Sequence, residues 1–326
     1  MTDDYPFIDG AFVRSLAPYR PDDGHKGSFG RVLLWAGSPR YSGAAHLCVQ
    51  GALRSGVGLV HLWTGRETAP FFAQLSPSVI TDILPPETTE DATLIDRCLQ
   101  VVLPEAMANR KAVAIGPGLT LRGALGQRMM PVVLEQSQKL VVDAGAFGYL
   151  AESGENGWQI LSRRVGAGRF PAVLTPHHGE FARLCPGFAE KEAMYRQTDL
   201  KQCFSAVKAP DFLRFRASEA IRFARVRSCV VVLKGRFTVI ASPNGDCCVN
   251  PTGNHGMGKG GSGDVLTGLL GGFLAQGLHP FSAACCAVYL HGLAGDFAAR
   301  DLGARFMQPT DLVQRLPEAY RTVGWV

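Results

Sequence analysis

No Cys-x-x-Cys pair occurs in the 326 residues; nine cysteines are scattered, with adjacent pairs at Cys247-Cys248 and Cys285-Cys286. This spacing suits neither a tetrahedral zinc site nor a disulfide framework, so the thiols are expected to be reduced and mostly buried. The eight histidines form no His-Glu-x-x-His pattern, and no Gly-x-Ser-x-Gly elbow is present. Zincin and α/β-hydrolase chemistry therefore lack their motifs. No stretch approaches the about 18 consecutive apolar residues of a membrane span, and the amino terminus Met1-Thr-Asp-Asp-Tyr-Pro is acidic without an apolar core, unlike a secretory signal. There is no repeat, low-complexity tract or long linker. The expectation is a single domain over residues 1–326, cytoplasmic, with no membrane partner.

Charge is also sparse, at 19% of residues, and the net +5 is local. Between Lys191 and Arg227 nine basic residues face four acidic ones, a surplus equal to that of the whole chain. Aromatics are not interleaved there as a base-stacking platform requires, so no nucleic-acid partner is expected. The segment reads as a solvated, partly helical surface, with a rim attracting an anionic dinucleotide as the functional variant.

What the chain has in plenty is glycine, 38 residues, above the roughly 7% share of an average protein. The glycines separate short apolar, β-branched runs that read as strands: Arg31–Ala36, Leu59–Trp63, Ala112–Ile115, Leu140–Val142, Ala172–Leu174, Cys229–Leu233, Thr238–Ala241 and Cys247–Val249. Between them lie helically spaced pieces, such as Gly43 to Ser55 and Asp264 to Gln276. The alternation predicts an α/β fold, a mainly parallel sheet with helices on both faces and ligands at the carboxyl ends of the strands. The last two runs, joined through Pro243-Asn-Gly-Asp, predict a late β-hairpin.

The most informative segment is Asn250-Pro-Thr-Gly-Asn-His-Gly-Met-Gly-Lys-Gly-Gly-Ser-Gly-Asp264, which runs into an apolar helix. Its glycines allow backbone N–H groups to approach an anion at the helix start. It is not a Walker loop, because Gly260 stands where Ser or Thr should hold magnesium and Pro251 where a strand should end. Asp264 would repel a resting phosphate, so it reads either as a base that takes a hydroxyl proton during phosphoryl transfer or as a plain helix N-cap. Thr175-Pro-His-His-Gly-Glu-Phe181 places His177 and Glu180 at a strand end, where Glu180 could hold magnesium through water. Lys234-Gly-Arg-Phe-Thr238 either approaches a nucleotide or merely caps its strands. Gly37-Ser-Pro-Arg-Tyr-Ser-Gly-Ala-Ala45 and Gly116-Pro-Gly-Leu119 are loops that touch a ligand or turn sharply for packing.

In this order, Lys26-Gly-x-x-Gly, Gly37-Ser…Gly43-Ala-Ala, Arg54-Ser-Gly-x-Gly, Gly116-Pro-Gly-Leu, Val142-Asp-Ala-Gly-Ala146, Thr175-Pro-His-x-Gly-Glu-Phe-x-Arg-Leu184, Val232-Leu-Lys-Gly-x-x-Thr-Val239, Gly260-Gly-Ser-Gly-Asp-Val-Leu-Thr-Gly268 and Tyr289-Leu-His-Gly292 resemble the ADP-dependent NAD(P)H-hydrate dehydratases of the ribokinase-like superfamily. The likeness runs from about Lys26 to the end. It implies dehydration of the S form of NADHX or NADPHX to NADH or NADPH, with Mg2+ and ADP (or ATP) as phosphoryl donor, giving AMP and phosphate from ADP. By the family pattern Asp264 is catalytic; Ala44, Gly118, His177 and Asp264 meet the hydrate; Lys234, Gly235, Arg236, Phe237, Thr238 and Gly263 meet the nucleotide. The likeness further implies a homo-oligomer, a tetramer. There is no room for the epimerase domain some relatives carry in front, so a separate epimerase is expected. Ser262 and Gly258 stand where the family prefers Thr and Ala, and residues 187–228 look like an extended basic insertion.

The rival within the superfamily is a small-molecule kinase for a hydroxymethylpyrimidine, thiazole alcohol or pyridoxal-like substrate. Thr175-Pro-His-His-Gly-Glu argues against it, since the pyrimidine kinases resemble Thr-Pro-Asn-x-x-Glu. A non-catalytic nucleotide sensor is a third reading, opposed by Asp264, because a pure binding site gains little from a carboxylate facing phosphate.

Overall fold

A computed structural model describes residues 5–86, 88–108, 111–200 and 210–325. Nine strands build one sheet: β1 (Arg31–Trp35), β2 (Leu59–Gly65), β3 (Val79–Leu84), β4 (Ala112–Ile115), β5 (Leu140–Val142), β6 (Val173–Leu174), β7 (Val230–Leu233), β8 (Val239–Ala241) and β9 (Cys247–Val249), in the order β3-β2-β1-β4-β5-β6-β7-β8-β9. Pairing is parallel from β3 through β7, and β8 and β9 each run antiparallel to the strand before. The mainly parallel α/β sheet with a late hairpin is the architecture the strand-helix alternation predicts.

Burial explains the strand composition. In β1, Leu33 and Trp35 enter the core on one face of the sheet while Val32 and Leu34 enter the core on the other. A strand buried on both sides reads as a continuous apolar run, and that made the central strands visible. β3 escaped the sequence reading because it is an edge strand, Val-Ile-Thr-Asp-Ile-Leu, with Ile80 and Ile83 exposed and two polar residues between them.

Six helices position the site: α1 (Ser42–Arg54), α2 (His178–Leu184), α3 (Pro210–Arg227), α4 (Ser262–Ala275), α5 (Pro280–Leu302) and α6 (Pro309–Val323). Twelve of the fourteen residues of α4 are buried, and the two that are not, Gly263 and Asp264, lie in its first turn. α5 is 23 residues long and holds an 18-residue window of mean hydropathy 1.2, long and apolar enough to cross a membrane by those measures, which the sequence reading did not anticipate. It packs against α4 and α6 with 67% of that apolar window buried, as a core helix does.

α1 and α4 approach closely because each offers a glycine to the other. A Cβ on Gly268 would stand 1.8 Å from the Cys48 carbonyl oxygen, and one on Gly51 would stand 2.2 Å from that of Val265. Gly268→Ala is therefore expected to push the helices apart and cost about 1–3 kcal/mol, read by urea denaturation. An unchanged midpoint would show that the two helices separate freely.

The chain leaves β1 toward β2 on one side and later returns to β4 on the other. The resulting crevice at the carboxyl ends of β1 and β4 is where ligands bind in open α/β sheets.

Candidate functional site

The loops after β1 and β4 form one wall of that crevice. Gly37 N–H donates to the Pro117 carbonyl at 2.8 Å, tying them together. Gly118 has a φ of +69°, and a Cβ there would lie 2.7 Å from the Tyr41 carbonyl oxygen and 3.1 Å from the Ala44 Cβ. Ala44 and Gly118 are thus neighbours, as a shared ligand wall requires, and both line a cleft of about 770 Å³.

The start of α4 forms the facing wall. Gly261, with a φ of +104°, caps the helix, which begins at Ser262. Asp264 therefore sits inside the first turn and is not the N-cap, which removes the plain-cap reading. Gly260, Gly261 and Asp264 all line the cleft. The loop before α4 is pinned from α5: Asp296 accepts from Gly253 N–H at 2.9 Å and from Asn254 Nδ2 at 3.1 Å.

Electrostatics single Asp264 out. Burial and then the Asp143 carboxylate push its carboxyl up to about 7, the Lys234 ammonium opposes the rise, and Glu180 adds to it. A helix amino terminus favours a carboxylate, yet here desolvation and like charge prevail. The result is a proton acceptor matched to neutral pH.

Asp143, 1% exposed, lies beneath this centre. Its Oδ1 accepts from Lys234 Nζ at 3.0 Å and its Oδ2 from Thr267 Oγ1 at 2.7 Å. Gly263 completes the cluster, since a Cβ there would lie 3.2 Å from Lys234 Nζ. Sequence reasoning quoted Asp143 inside a motif but gave it no role. The signal was available: a lone carboxylate directly after the wholly apolar strand β5. Burial alone would lower the Lys234 ammonium, but Asp143, Glu180 and Asp264 together raise it, so it stays charged.

Lys234 to Thr238 form the turn between β7 and β8. Gly235 and Arg236 are exposed, Phe237 is half-buried with a φ of 55°, and the Thr238 hydroxyl donates to the Gly235 carbonyl at 2.9 Å. Lys234 and Gly263 are brought beside Asp264 without lining the cleft, and Gly235, Arg236, Phe237 and Thr238 do not line it either. The turn is bracketed from behind by Arg216, which donates to the carbonyls of Leu233, Lys234 and Arg236 at 3.0 to 3.1 Å. Arg216 belongs to the basic segment and is 4% exposed, so the reading of that whole segment as a solvated surface is corrected here. Its helical part holds: one helix spans Phe188–Leu200 and α3 follows. Lys201 and Lys208 lie outside the described residues. Arg216→Met is expected to loosen the turn and cost about 1–3 kcal/mol, read by urea denaturation, because three carbonyls lose their donor. An unchanged midpoint would show that the turn holds its shape without Arg216.

His177 and Glu180 form a capping box at α2. His177 Nδ1 accepts from Gly179 N–H at 3.0 Å and Glu180 N–H at 3.3 Å, while Glu180 Oε2 accepts from His177 N–H at 2.8 Å. Burial holds the imidazole below its ordinary value, with Glu180 pulling the other way. A backbone bridge from His177 to Lys234 continues the β6–β7 pairing, which sets α2 beside Lys234. Glu180 lines the cleft, whereas His177 is exposed and does not line it.

Three carboxylates, Asp143, Glu180 and Asp264, thus face a single ammonium, an excess of negative charge that fits a divalent cation. Among the described residues no three carboxylate, imidazole or thiol groups come together as a chelating set. A metal here would be held mainly through water and phosphate oxygens.

A family model described as NAD(P)H-hydrate dehydratase matches residues 32–318. The chain is 39% identical over 316 residues to the bifunctional NAD(P)H-hydrate repair enzyme Nnr of Moorella thermoacetica, covering 97% of this chain and 54% of that protein. It is 34% identical to the ADP-dependent (S)-NAD(P)H-hydrate dehydratase of Bacillus subtilis, covering 97% of this chain and 98% of that one. The chain thus spans about half the length of the bifunctional relatives it matches and nearly all of the Bacillus enzyme. A crystal structure of the ADP/ATP-dependent NAD(P)H-hydrate dehydratase from Bacillus subtilis, co-crystallized with ATP/Mg2+, superposes with a TM-score of 0.72 at 29% identity, over 99% of this chain and 100% of that one. The fold is therefore ribokinase-like, and the chain belongs to the NAD(P)H-hydrate dehydratase family.

Proposed function

We propose that this chain dehydrates the S form of NADHX or NADPHX to the working reduced cofactor, using ADP or ATP. The observation that carries the reading is Asp264: a carboxyl poised at about 7, at the head of a glycine-led helix, on a cleft walled by Ala44 and Gly118. Asp264 takes the proton of the C6 hydroxyl as that oxygen attacks the terminal phosphorus, whose bond to the nucleotide breaks, leaving AMP from ADP. The ring nitrogen lone pair then expels phosphate from C6, and loss of a proton from C5 restores the double bond. Backbone N–H groups around Gly261 and Gly263, with Lys234, receive the charge on the transferred group.

Mg2+ bound with the nucleotide would neutralise phosphoryl oxygens, with Glu180 and Asp264 placed to hold its waters. His177 supports Glu180 and meets the hydrate in this reading, and the turn Lys234–Thr238 with Gly263 receives the nucleotide. The bifunctional names of the longer relatives support an accompanying epimerase that converts the R hydrate. A homo-oligomer, a tetramer by the family likeness, belongs to the same proposal; Ile80 and Ile83 on the edge strand β3, with Phe71 and Leu75 nearby in sequence, expose apolar surface suited to it. Light scattering that gave a monomer mass would remove that part.

The test is to mix the protein with S-NADHX, Mg2+ and either ADP or ATP, following the return of reduced-nicotinamide absorbance and release of phosphate. Matching recovery of both is expected. Phosphorylation of a small alcohol, with no NADH recovered, would favour the kinase instead.

A further inference from the structure

Two arginines in the cleft are unused by the chemistry above. Arg122 and Arg183 both line it and are both exposed. Among the described residues neither guanidinium has a carboxylate within ion-pairing distance or any other recorded partner. Glu152 on the same cleft is the remaining charge there besides Glu180 and Asp264, and it too lies beyond ion-pairing distance of either arginine.

Both arginines are set by rigid backbone. Leu121, just before Arg122, is a non-glycine residue at a φ of 53°, with its side chain 1% exposed and its carbonyl held by Gln127 Nε2 at 2.7 Å. Such left-handed backbone persists only where the surroundings impose it, and ligand clamps are a common place for it. Arg183 follows Glu180 by three residues on α2, so the two share a helix face. Glu180 is 7% exposed, at the inner end of that face, and Arg183 lies at the solvent end. The cleft therefore passes from carboxylates around Asp264 to unpaired guanidiniums at its mouth.

A hydrated dinucleotide has matching polarity. Its nicotinamide ring is uncharged and needs Asp264, while the rest carries a pyrophosphate and, in NADPHX, a 2′-phosphate. Guanidinium groups bind phosphate oxygens through paired, charge-assisted hydrogen bonds. We propose that Arg122 and Arg183 form the phosphate subsite for the dinucleotide substrate. This assignment rests on the dehydratase reading for its substrate.

Two readouts test it. Arg122→Gln and Arg183→Gln are compared with the native chain for the KM and kcat of NADHX and NADPHX, and for equilibrium binding of NADH and NADPH by nicotinamide fluorescence. KM and Kd should rise about tenfold or more in each variant, with a much smaller fall in kcat and no change in the KM for ADP. A like rise for both dinucleotides identifies the pyrophosphate as the group held; a rise confined to the phosphorylated one identifies the 2′-phosphate. Arg183→Lys should recover part of the loss, since it keeps the charge without the fork. Unchanged KM and Kd for both dinucleotides, or an effect on ADP alone, would overturn the subsite. Native protein that binds NADPH in an arginine-dependent way yet turns over no hydrate would instead overturn the dehydratase reading and leave the subsite standing.

Discussion

Asp264→Asn should lower turnover about 10²–10⁴-fold while nucleotide binding is kept or tightened, because the proton acceptor is gone and one negative charge no longer faces phosphate. In the native chain kcat/KM should fall as pH drops through about 7, where the carboxyl takes up its proton and ceases to be a base. Stability should move the other way. The folded carboxyl lies above its ordinary 3.8, so between there and about 7 the folded state holds a proton that the unfolded state has lost. Stability falls as pH rises through that window, and the full penalty applies above it. Asp264→Asn removes the penalty, so it should be more stable than the native chain at pH 8, by on the order of 1–3 kcal/mol and with a higher melting temperature, the difference shrinking toward pH 4. A native rate of turnover in Asp264→Asn would sink the assigned role. Equal melting at pH 8 would deny the electrostatic strain.

Lys234→Met should cost about 3–5 kcal/mol, because Asp143 is 2% exposed in its side chain and would be left with the Thr267 hydroxyl alone. The double variant Lys234→Met with Asp143→Asn removes that buried carboxylate and should recover part of the lost stability without recovering activity, since Glu180 and Asp264 still lack the ammonium. Such a cycle separates burial from chemistry. The single variants should also shift the acidic limb of the rate profile in opposite directions. Asp143→Asn removes one of the charges that raise Asp264 and should move the limb to lower pH, whereas Lys234→Met removes the charge that opposes the rise and should move it higher. Activity lost from Lys234→Met can be too low for a profile, in which case Asp143→Asn alone decides; a limb unmoved in Asp143→Asn would show that burial sets Asp264 unaided. Lys234 itself adds no pH dependence of stability near neutrality. Lys234 is raised from 10.5, so the stability it contributes is fully present below that value and lost only in strong alkali.

The eight strands that were legible owe it to a local cause: packing on both faces admits only apolar, β-branched runs, as in Val230-Val-Val-Leu233. β3 has only Leu84 buried among its six residues, and its Thr81 and Asp82 broke the pattern. The glycine-rich loops after β4 and before α4 were legible for a similar reason, since Gly118 and Gly261 stand where positive φ or a close neighbour excludes a side chain. The start of α4 was misplaced by two residues, because Asp264 is a familiar cap residue and the left-handed glycine before Ser262 carries no side-chain signal.

Arg216 shows the boundary most plainly. Along the chain it is one basic residue among nine; in space it holds three carbonyls of the turn that Lys234 opens. Asp143 and Lys234 are 91 positions apart, and Thr267 is 124 from Asp143. The sequence by itself determined the strands, the glycine-led helix, the family likeness and the candidate Asp264, because periodicity and backbone conformation depend on neighbours along the chain. Only the tertiary structure decided which charges surround Asp264 and hence where its proton leaves. A carboxyl's affinity for a proton depends on through-space distance and loss of water, and both are set by residues far apart in sequence.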